Sequence, residues 1–586
     1  MNLSTLFDDV VVLPRPIGSV AASLFGWREA ERLYKSLLPA SKDEPLTERL
    51  LHRLSVTYRL AERDLQQIPR EGPVVIVANH PFGILEGAVL STALARIRPD
   101  IRILANGILS AMPEVRDLLI PVDAMTKAAT QRNVQPLRDS IRFLRSGGCL
   151  VVFPAGEVSH FQWRKRAVTD STWHSAVVRI IETLSHAGVS ISTVPIYISG
   201  SNSLLFQTLG LLHPKVRTML LARELVNKRD QLVELRIGGS IPSKKLLEIS
   251  TPEERIEYLR WRTYLLANRP GYKANTSIPL QRAIRSVRPI RAAVPAELLA
   301  SEVESLGNDA CLAQTGGLSV YLAPGHLIPN ILGEIGRLRE VAFRAAGEGT
   351  GKPSDRDRFD NHYLHLFAWD GSKNEIVGAY RLAGTDQTQD LYTATLFKYG
   401  DAFLKRMGPA LELGRSFVRL EYQKGFSPLL ALWKGIGAYV ARNPRYKVLF
   451  GAVSISNRYQ TISRELMVTF LERHASLNGW MGLISQRNPF GKYCAAFPTF
   501  GADLDDLSDV VSDLEPSREG IPVLLRQYLK LGGKLLGFNV DPEFSDALDG
   551  LILVDLTKTE SRLLERYLGK PEASRFLAYQ RGTNEP

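Results

Sequence analysis

The sequence predicts an α/β domain in the first half of the chain and an α+β domain with a mainly antiparallel sheet in the second. Apolar runs of strand length alternate with helical periods in the first half, and a series of strand candidates follows a long helix in the second. A segment rich in turn residues, prolines and arginines separates them. The 586 residues are too many for one ordinary core. We therefore predict domains at residues 1–267 and 297–586, joined by a linker at 268–296.

Each element is predicted from its periodicity. In the first half, we predict strands at 74–79, 101–106, 149–154 and 191–198 and helices at 88–97, 134–147 and 173–188. In the second half, we predict helices at 330–347 and 429–443 and strands at 365–370, 376–383, 411–418 and 448–456.

The composition is that of a folded protein with a basic surface. Lys and Arg number 73 against 61 Asp and Glu, which gives a net charge of +12. An anionic partner is expected: a nucleic acid, a membrane surface or an acidic carrier protein. Nucleic acid is disfavoured because no aromatic-basic or helix-turn-helix pattern accompanies the charge.

Three distant cysteines without a CxxC pair indicate a reducing compartment, and the histidines show no metal-ligand spacing, so no metal site is predicted.

The N-terminal region does not resemble an export signal, since Asp8 and Asp9 stand where a signal peptide would be basic. Apolar runs are too short for a predicted transmembrane helix. The segment Ile17–Leu38 predicts an amphipathic helix, which either packs on the first domain or lies on a membrane surface.

The segment Asn79–Gly87, with the sequence NHPFGILEG, follows directly on a predicted buried strand, where loops carry active sites in α/β folds. His80 could take a proton from a hydroxyl while Glu86 orients the imidazole and stabilises its charged form. Gly83 and Gly87 would let the backbone turn tightly. Taken alone, such a pair is more often structural.

The segment resembles the first motif of the glycerolipid acyltransferase superfamily, in the variant with a carboxylate six residues after the histidine. The commoner pattern has Asp five residues after it, where this chain has Leu85. Further family-like blocks follow in order at 120–123, 153–159, 194–196 and 236–242, so the resemblance covers about 40–265. It implies catalytic roles for His80 and Glu86 and substrate contacts for Asn79, Gly83 and Glu157.

One departure from that family bears on the substrate. The arginine that the family associates with a glycerol-phosphate is replaced by Val158, and the glutamate of the block has moved to Glu157. Losing a guanidinium weakens phosphate recognition, so we expect a hydroxyl acceptor without a phosphate there. The nearby cations 164–166 either replace the arginine or form a charged cluster at a membrane or carrier surface.

The second half carries a distinctive set of charged residues. Its members are Arg339 and Phe343 on the predicted helix, Asp357 and Asp360 after it, Arg381 in one strand, and Glu412 and Arg415 in another. The helix and loop members have an alternative explanation as surface charges. A carboxylate and an arginine between the apolar residues of a central strand need a partner or a cavity.

This set resembles the acyl-homoserine-lactone synthases, which have an N-acetyltransferase-like (GNAT) fold. The wider text of 320–556 resembles the N-acyltransferases of ornithine-lipid synthesis even more closely, at 359–370, 411–418, 522–532 and 541–544. Both families move a fatty acyl chain from a carrier-protein thioester to the α-amine of an amino-acid-like acceptor.

The chemistry required by such a reaction can be assigned to residues. Glu412 is the first candidate for the base that deprotonates the amine. Arg415 or Arg381 would hold the acceptor carboxylate, and Asp357 and Asp360 would bind a cationic side chain. The segment 422–428 matches a pyrophosphate-binding loop only in part, which favours acyl carrier protein over coenzyme A as donor.

Together the two resemblances imply a bifunctional enzyme. The second domain would N-acylate ornithine with a 3-hydroxy fatty acid, and the first would O-acylate the 3-hydroxyl of the lyso-lipid. The expected partners are acyl carrier protein, the amino acid, the lyso-lipid and the inner face of the bacterial cytoplasmic membrane, with no bound cofactor. The alternatives are another amino acid (glycine, lysine or glutamine), one active domain with a docking module, or a basic peripheral membrane scaffold.

Overall fold

The structure is a computed structural model that describes residues 25–38, 44–122, 134–209, 214–271, 287–425, 427–477, 479–491 and 503–582. The chain forms two compact units. The first comprises Met1–Thr276 and Pro498–Glu519, and the second comprises Ser277–Phe497 and Gly520–Pro586.

The strands fall into two groups by unit. Those of the first unit are β1 (Thr57–Arg59), β2 (Val74–Ala78), β3 (Ile101–Asn106), β4 (Leu119–Val122), β5 (Cys149–Val152), β6 (His160–Gln162), β7 (Ala167–Thr169), β8 (Ser192–Ile198), β9 (Leu232–Ile237) and β10 (Ile241–Pro242). Those of the second are β11 (Cys311–Thr315), β12 (Leu318–Pro324), β13 (Leu364–Asp370), β14 (Glu375–Gly384), β15 (Phe397–Tyr399), β16 (Ala410–Val418), β17 (Val448–Ile455), β18 (Ile484–Gln486), β19 (Lys534–Asp541) and β20 (Ala547–Asp555).

The α-helices follow the same division. Those of the first unit are α1 (Trp27–Ser36), α2 (Leu46–Arg53), α3 (Glu62–Leu65), α4 (Leu85–Leu94), α5 (Val134–Arg145), α6 (Ala176–His186), α7 (Leu204–Leu209), α8 (Pro214–Val226), α9 (Ser243–Leu247), α10 (Pro252–Leu265) and, after a long interval, α16 (Leu504–Leu514). Those of the second are α11 (Ala296–Ser305), α12 (Pro329–Ala346), α13 (Asp401–Met407), α14 (Ser427–Arg442), α15 (Thr461–His474), α17 (Val523–Lys530), α18 (Ser561–Leu568) and α19 (Lys570–Gly582).

The sheet of the first unit runs in the order β1-β9-β8-β2-β5-β3-β4, with β10 beside β8. Its centre is parallel, because β2 pairs with both β5 and β8 in that sense. Both faces are covered: Val74 and Ile76 face one core, and Val75 and Val77 face the other. A doubly covered parallel sheet explains the continuous apolar strand sequences. The α/β prediction for this half is confirmed.

The sheet of the second unit runs in the order β11-β12-β13-β14-β16-β17-β20-β19. Its pairs are antiparallel except β16 with β17, which run parallel. That parallel pairing covers only Ala410 to Glu412, although β16 continues to Val418 and β17 to Ile455. The ladder pairing between the two strands therefore ends at Glu412, although both strands continue beyond it. The prediction of a mainly antiparallel sheet is confirmed.

The division of the chain differs from the predicted domain boundaries at α16, which belongs to the first unit rather than to the second. The physical reason is a buried ion network within that unit. Arg262 of α10 donates to Asp513 of α16 at 2.7 Å, and Arg518 donates to both Asp513 and Asp64. Within the predicted linker, residues 272–286 lie outside the described residues.

The described part of the predicted N-terminal amphipathic helix, α1, packs on the first unit. Trp27 donates from its indole nitrogen to the Met219 carbonyl of α8 at 3.0 Å, and Leu33 is buried in the core. Residues 17–24 of that prediction lie outside the described residues. Among the described helices, none has both the length and the apolar composition needed to cross a bilayer.

Candidate active sites

The first site lies where β2 ends. Asn79 ties this strand to β8 by exchanging two hydrogen bonds with the backbone of Ile198, at 2.7 and 2.9 Å. The next residue, His80, stacks on Phe153 with ring centroids 4.5 Å apart. Its Nδ1 lies 2.6 Å from Glu86 Oε1. With Nδ1 facing the carboxylate, Nε2 is the ring nitrogen left to accept a proton from a substrate.

Glu86 is fully buried in the first turn of α4, where the helix dipole favours a negative charge. The backbone amides of Phe82 and Gly83 donate to its carboxylate at 2.8 to 3.0 Å. Although burial favours the neutral acid, His80 and the backbone amides of Gly83 and Glu86 hold the pKa of Glu86 below its usual range. The carboxylate is therefore charged and fixed in position.

The pairing with Glu86 raises the pKa of His80, whereas it lowers that of Glu86. Burial alone would lower the pKa of His80, but attraction to Glu86, with a smaller contribution from Asp170, outweighs it and raises the pKa. An imidazole of raised pKa, held by a carboxylate, is suited to general-base catalysis.

The loop around His80 leaves little space for other side chains. Gly83 has φ +118°, and a Cβ there would lie 2.9 Å from Leu221 Cδ2.

Asp170, which sequence reasoning missed, is fully buried, and its Oδ1 accepts the His80 backbone N–H at 3.2 Å. It comes 90 residues after His80 in the chain, and no motif marked it.

The block that departs from the acyltransferase pattern lies beside this loop. Glu157 pairs with Arg217 of α8 at 2.7 Å, so this predicted substrate ligand already has an ionic partner. Val158 is buried in an apolar cluster with Phe206 of α7 and Leu220 of α8. The position of the missing arginine is thus apolar, and the phosphate-free acceptor stays a prediction.

In the second unit, the structure brings four of the predicted charged residues together in one buried network. Arg339 donates to Asp360 at 2.7 Å, and Arg381 donates to Asp357 at 2.6 Å and to Asp360 at 3.3 Å. Both carboxylates were predicted to bind a cationic substrate side chain. In the structure they are already paired with these two arginines, so a substrate cation would have to compete with them. The attraction of these arginines outweighs burial and holds the pKa values of Asp357 and Asp360 below their usual range.

Several guanidinium nitrogens in this network have no hydrogen-bond partner among the residues that the structure describes. They are Nε and one terminal nitrogen each of Arg339 and Arg381, and Nε of Arg415. Arg415 takes φ +48°, lies 3.7 Å from Asp355 and Asp357, and stacks over the rings of Tyr392 and Phe544. The predicted Phe343 contacts Phe544 edge to face, with centroids 5.0 Å apart. Buried donors without partners can bind a carboxylate.

Glu412 is buried, but its carboxylate is already well bonded. It accepts from Thr393 N at 2.8 Å, Thr393 Oγ1 at 2.5 Å, Tyr392 N at 3.1 Å and the Tyr363 hydroxyl. These donors hold the 392–395 turn against β16. The role of Glu412 as a base stays a prediction, and taking a proton would require one of these bonds to break.

A second group of carboxylates was not assigned a role from the sequence. Asp549 on β20 lies opposite Ser454 on β17, and Ser454 Oγ donates to Glu348 at 2.8 Å. Asp541 lies diagonally from Asp549 across the β19–β20 pair. All three are buried, and within the described part of the chain Asp549 Oδ2 has no hydrogen-bond partner. The sequence signal that could have identified this group is Asp549, an acidic residue inside the apolar run at 547–554.

The cations near these three carboxylates, Arg415 and for Glu348 also Arg458, do not outweigh the effect of burial. Burial raises the pKa of Glu348 to about 7 and also raises the pKa values of Asp541 and Asp549. The arrangement can accept a proton near neutral pH or bind a cationic ligand group.

Comparison with known proteins gives two family matches. Residues 46–271 match an acyltransferase family, and residues 338–434 match the acetyltransferase (GNAT) domain family. These matches confirm the acyltransferase-like and GNAT-like fold classes predicted for the two halves.

Named relatives of two kinds are similar to the chain. The glycine N(alpha)-acyltransferase of Bacteroides thetaiotaomicron is 35% identical over 264 residues, which cover 40% of this chain and 76% of the relative. The protein of the same name from Phocaeicola vulgatus is 41% identical over 172 residues, 26% of this chain and 53% of the relative. The lyso-glycine lipid O-acyltransferase of P. vulgatus is 26% identical over 219 residues, 35% of this chain and 72% of the relative.

Proposed function

We propose that this chain, which belongs to the family of the glycine N(alpha)-acyltransferase of B. thetaiotaomicron, is a bifunctional synthase that makes ornithine lipid. The chain is an enzyme that transfers acyl groups, with an acyltransferase and a GNAT domain. One observation carries the proposal: two relatives that are separate proteins in P. vulgatus, an amino-acid N-acyltransferase and a lyso-lipid O-acyltransferase, both match this single chain.

The two units act in sequence in this proposal. The second unit transfers a 3-hydroxy fatty acyl chain to the α-amine of the amino acid and releases a lyso-lipid. The first unit then esterifies the 3-hydroxyl of that lyso-lipid with a second acyl chain. The apolar surroundings of Val158 support a phosphate-free acceptor.

For the ester, His80 Nε2 removes the proton from the lyso-lipid hydroxyl as its oxygen attacks the thioester carbon. Glu86 stabilises the imidazolium that forms. The C–S bond then breaks, and the imidazolium proton passes to the departing thiolate. The raised pKa of His80 supports this cycle, because the ring must both accept and return a proton.

For the amide, a carboxylate takes a proton from the acceptor's amine as its nitrogen attacks the thioester carbon; the C–S bond then breaks, and the carboxyl group passes that proton to the departing carrier thiolate. Glu412 is the candidate from the sequence, and Glu348 is the candidate from the structure because its pKa is raised to about 7. The unpartnered guanidinium donors of Arg381 and Arg415 would hold the acceptor's carboxylate.

The choice of ornithine is supported by the charge balance around this network. Among the described residues, Glu348, Asp541 and Asp549 are buried close together, and burial keeps their pKa values raised despite the attraction of Arg415 and, for Glu348, of Arg458, so these cations compensate them only in part. Partly compensated buried carboxylates favour a ligand that brings its own positive charge. The side-chain ammonium of ornithine would supply it.

Glycine is the second candidate acceptor, favoured by the names of the N-acyltransferase relatives. Glycine has no side-chain cation, so it would leave the three carboxylates only partly compensated. Lysine shares the cationic side chain of ornithine, whereas glutamine does not.

Acyl carrier protein is the proposed donor, and the inner face of the cytoplasmic membrane is the proposed site of action. The net charge of +12 supports both, because carrier protein and membrane surface are acidic. Purified chain assayed with equal concentrations of acyl carrier thioester and acyl-coenzyme A would test the donor. Faster transfer from coenzyme A in both steps would contradict the proposal.

The test of the function is expression of this chain alone in a bacterium that lacks amino-acid lipids, followed by mass spectrometry of the lipid extract. The expected product is a phosphorus-free lipid with one amide-linked and one ester-linked chain on ornithine. The same lipid on glycine would overturn the acceptor, and lyso-lipid alone would overturn the second activity.

A further inference from the structure

The β6–β7 hairpin of the first unit presents an indole and three cations together. Trp163, in its turn, is 71% exposed, and its ring meets that of Phe161 edge to face at 5.3 Å. Arg164, Lys165 and Arg166 follow directly, and all three are exposed. An exposed tryptophan next to basic residues is typical of a surface that sits at a membrane–water interface.

The short helix α7 adds aliphatic side chains beside this hairpin. Leu204 is 83% exposed and Leu205 is 38% exposed. The hairpin is tied to α7, because the backbone amide of Phe161 donates to Gln207 Oε1 at 2.8 Å. The apolar and basic side chains thus belong to two elements that are bonded to each other.

This surface is connected directly to the His80 loop. Ser159, immediately before β6, donates from its backbone amide to the His80 carbonyl at 2.7 Å. The carboxylate of Asp170, immediately after β7, accepts from both the His80 amide and the Ser159 hydroxyl. Both ends of the hairpin are therefore held at the candidate catalytic histidine.

We propose that Trp163, Leu204 and Leu205, with the cations 164–166, form the surface by which the first unit rests on an anionic phospholipid bilayer. The proposal rests on the O-acyl transfer proposed above, because a membrane-embedded lyso-lipid would then reach His80 without crossing bulk water. The three cations complement anionic headgroups, and the indole and leucines enter the interfacial layer. An acidic carrier protein would account for the cations but not for the exposed leucines.

The test is flotation of the full chain with vesicles of phosphatidylcholine, with and without one third phosphatidylglycerol, in the absence of substrates. The variants are Trp163→Ser with Leu204→Ser, and a charge reversal of Arg164, Lys165 and Arg166 to Glu. Val523→Ser is the matched control, because Val523 is also an exposed apolar residue, at 66%, but lies on α17 of the second unit. Circular dichroism melting verifies that each variant is folded.

We expect the wild type and the control to float with anionic vesicles and both surface variants to partition at least tenfold less. We also expect binding to weaken when NaCl is raised from about 0.15 to 0.5 M, because salt screens exposed charges. Folded surface variants that float like the wild type would overturn the proposal. If the charge-reversal variant floats like the wild type but its acyl transfer shows a raised KM for acyl carrier protein, the proposal is also overturned. The cations would then be assigned to binding of the carrier.

The experiment separates this surface from the proposed function, since flotation requires no turnover. If the chain makes no amino-acid lipid but its flotation depends on these residues, the function fails and the surface stands. If it makes the lipid and the variants float normally, the function stands and the surface fails.

Discussion

His80 is the residue on which the proposed ester synthesis depends, because its imidazole carries the proton of the acceptor hydroxyl. We expect His80→Ala to lower O-acyl transfer by about 10²- to 10⁴-fold, the usual contribution of a general base. Lyso-lipid should accumulate, because the second unit is unchanged. Lipid mass spectrometry measures both products. His186→Ala, an exposed histidine on α6, is the matched control. Normal diacyl lipid from His80→Ala would refute the assignment.

Glu86 sets the charge state of His80. His80 must be neutral to act as a base, so O-acyl transfer should fall as pH drops through its raised pKa. Glu86→Gln removes the attraction that raises this pKa, so the acid limb of kcat/KM should move to lower pH. The plateau rate should also fall, because the imidazolium loses its stabilising partner. A pH–rate profile tests this, and an unmoved acid limb would contradict the pairing.

Glu348 illustrates the cost of a carboxylate that is only partly compensated. Since its pKa is about 7 in the folded protein, against the usual 4.5, the native state holds a proton that the unfolded state has released between these pH values. Stability should therefore fall as pH rises from about 4.5 to 7. Glu348→Gln removes this loss and keeps an acceptor for Ser454. We expect the variant to be about 2–3 kcal/mol more stable at pH 8 and unchanged at pH 4.5 in urea unfolding. A variant less stable at pH 8 would show that Glu348 is fully compensated.

The residues that sequence reasoning located are those that lie close together in a motif. His80 and Glu86 are six residues apart, on the loop after β2 and in the first turn of α4, so local geometry brings them together. Asp170 reaches the same loop from 90 residues away, and Asp549 reaches Glu348 through strand pairing. Contacts of this kind depend on the register of distant elements, which one sequence does not reveal.

At the scale of elements, α16 depends on a few buried ion pairs. Asp513 accepts from Arg262 at 2.7 Å and from Arg518 at 2.8 Å. We expect Asp513→Ala to destabilise the first unit by about 3–5 kcal/mol, because it leaves a buried guanidinium without its partner. Urea unfolding measures the change.

The same helix provides the control for that change. Asp509 also pairs with a cation, Lys245, but its side chain is 58% exposed, so Asp509→Ala should cost at most about 1 kcal/mol. Equal effects of the two substitutions would mean that burial of the network contributes nothing to the stability of the first unit.

Elements were predicted best where burial gives a continuous apolar run or a helical period. The bounds of β3 match the predicted 101–106, and β13, β14, β16 and β17 lie within one residue of their predictions. Strands β19 and β20 were not predicted, although they pair along most of their length at the edge of the second sheet. The placement of α16 could not be predicted, since Arg262, the partner of its Asp513, and Asp64, the partner of Arg518 just after the helix, lie about 250 and 450 residues earlier in the chain.

At the scale of the whole molecule, one covalent chain carries an acyltransferase domain and a GNAT domain, to which we assigned two consecutive acyl transfers in the proposed function. The proposed intermediate has one acyl chain and partitions into membranes, so free diffusion would dilute it. Joining both sites in one chain raises the effective concentration of each intermediate at its second site. This advantage requires only the covalent connection and is independent of how the two units are arranged.

This argument predicts that newly made lyso-lipid is used before the lyso-lipid already present in the membrane. The wild-type chain is given labelled ornithine and vesicles that contain unlabelled lyso-lipid. The first diacyl lipid formed should carry at least a few times more label than the lyso-lipid pool. A lag in the label, with product never richer than the pool, would show that the intermediate is released and mixes fully.

The control uses His80→Ala chain in large excess over wild type, so that most lyso-lipid forms on chains that cannot complete it. This lyso-lipid must pass through the membrane before a wild-type chain can esterify it, so the enrichment of label in the first product should disappear. Enrichment that persists in the mixture would mean that lyso-lipid passes between different chains as easily as within one, and the covalent connection would then have no kinetic role.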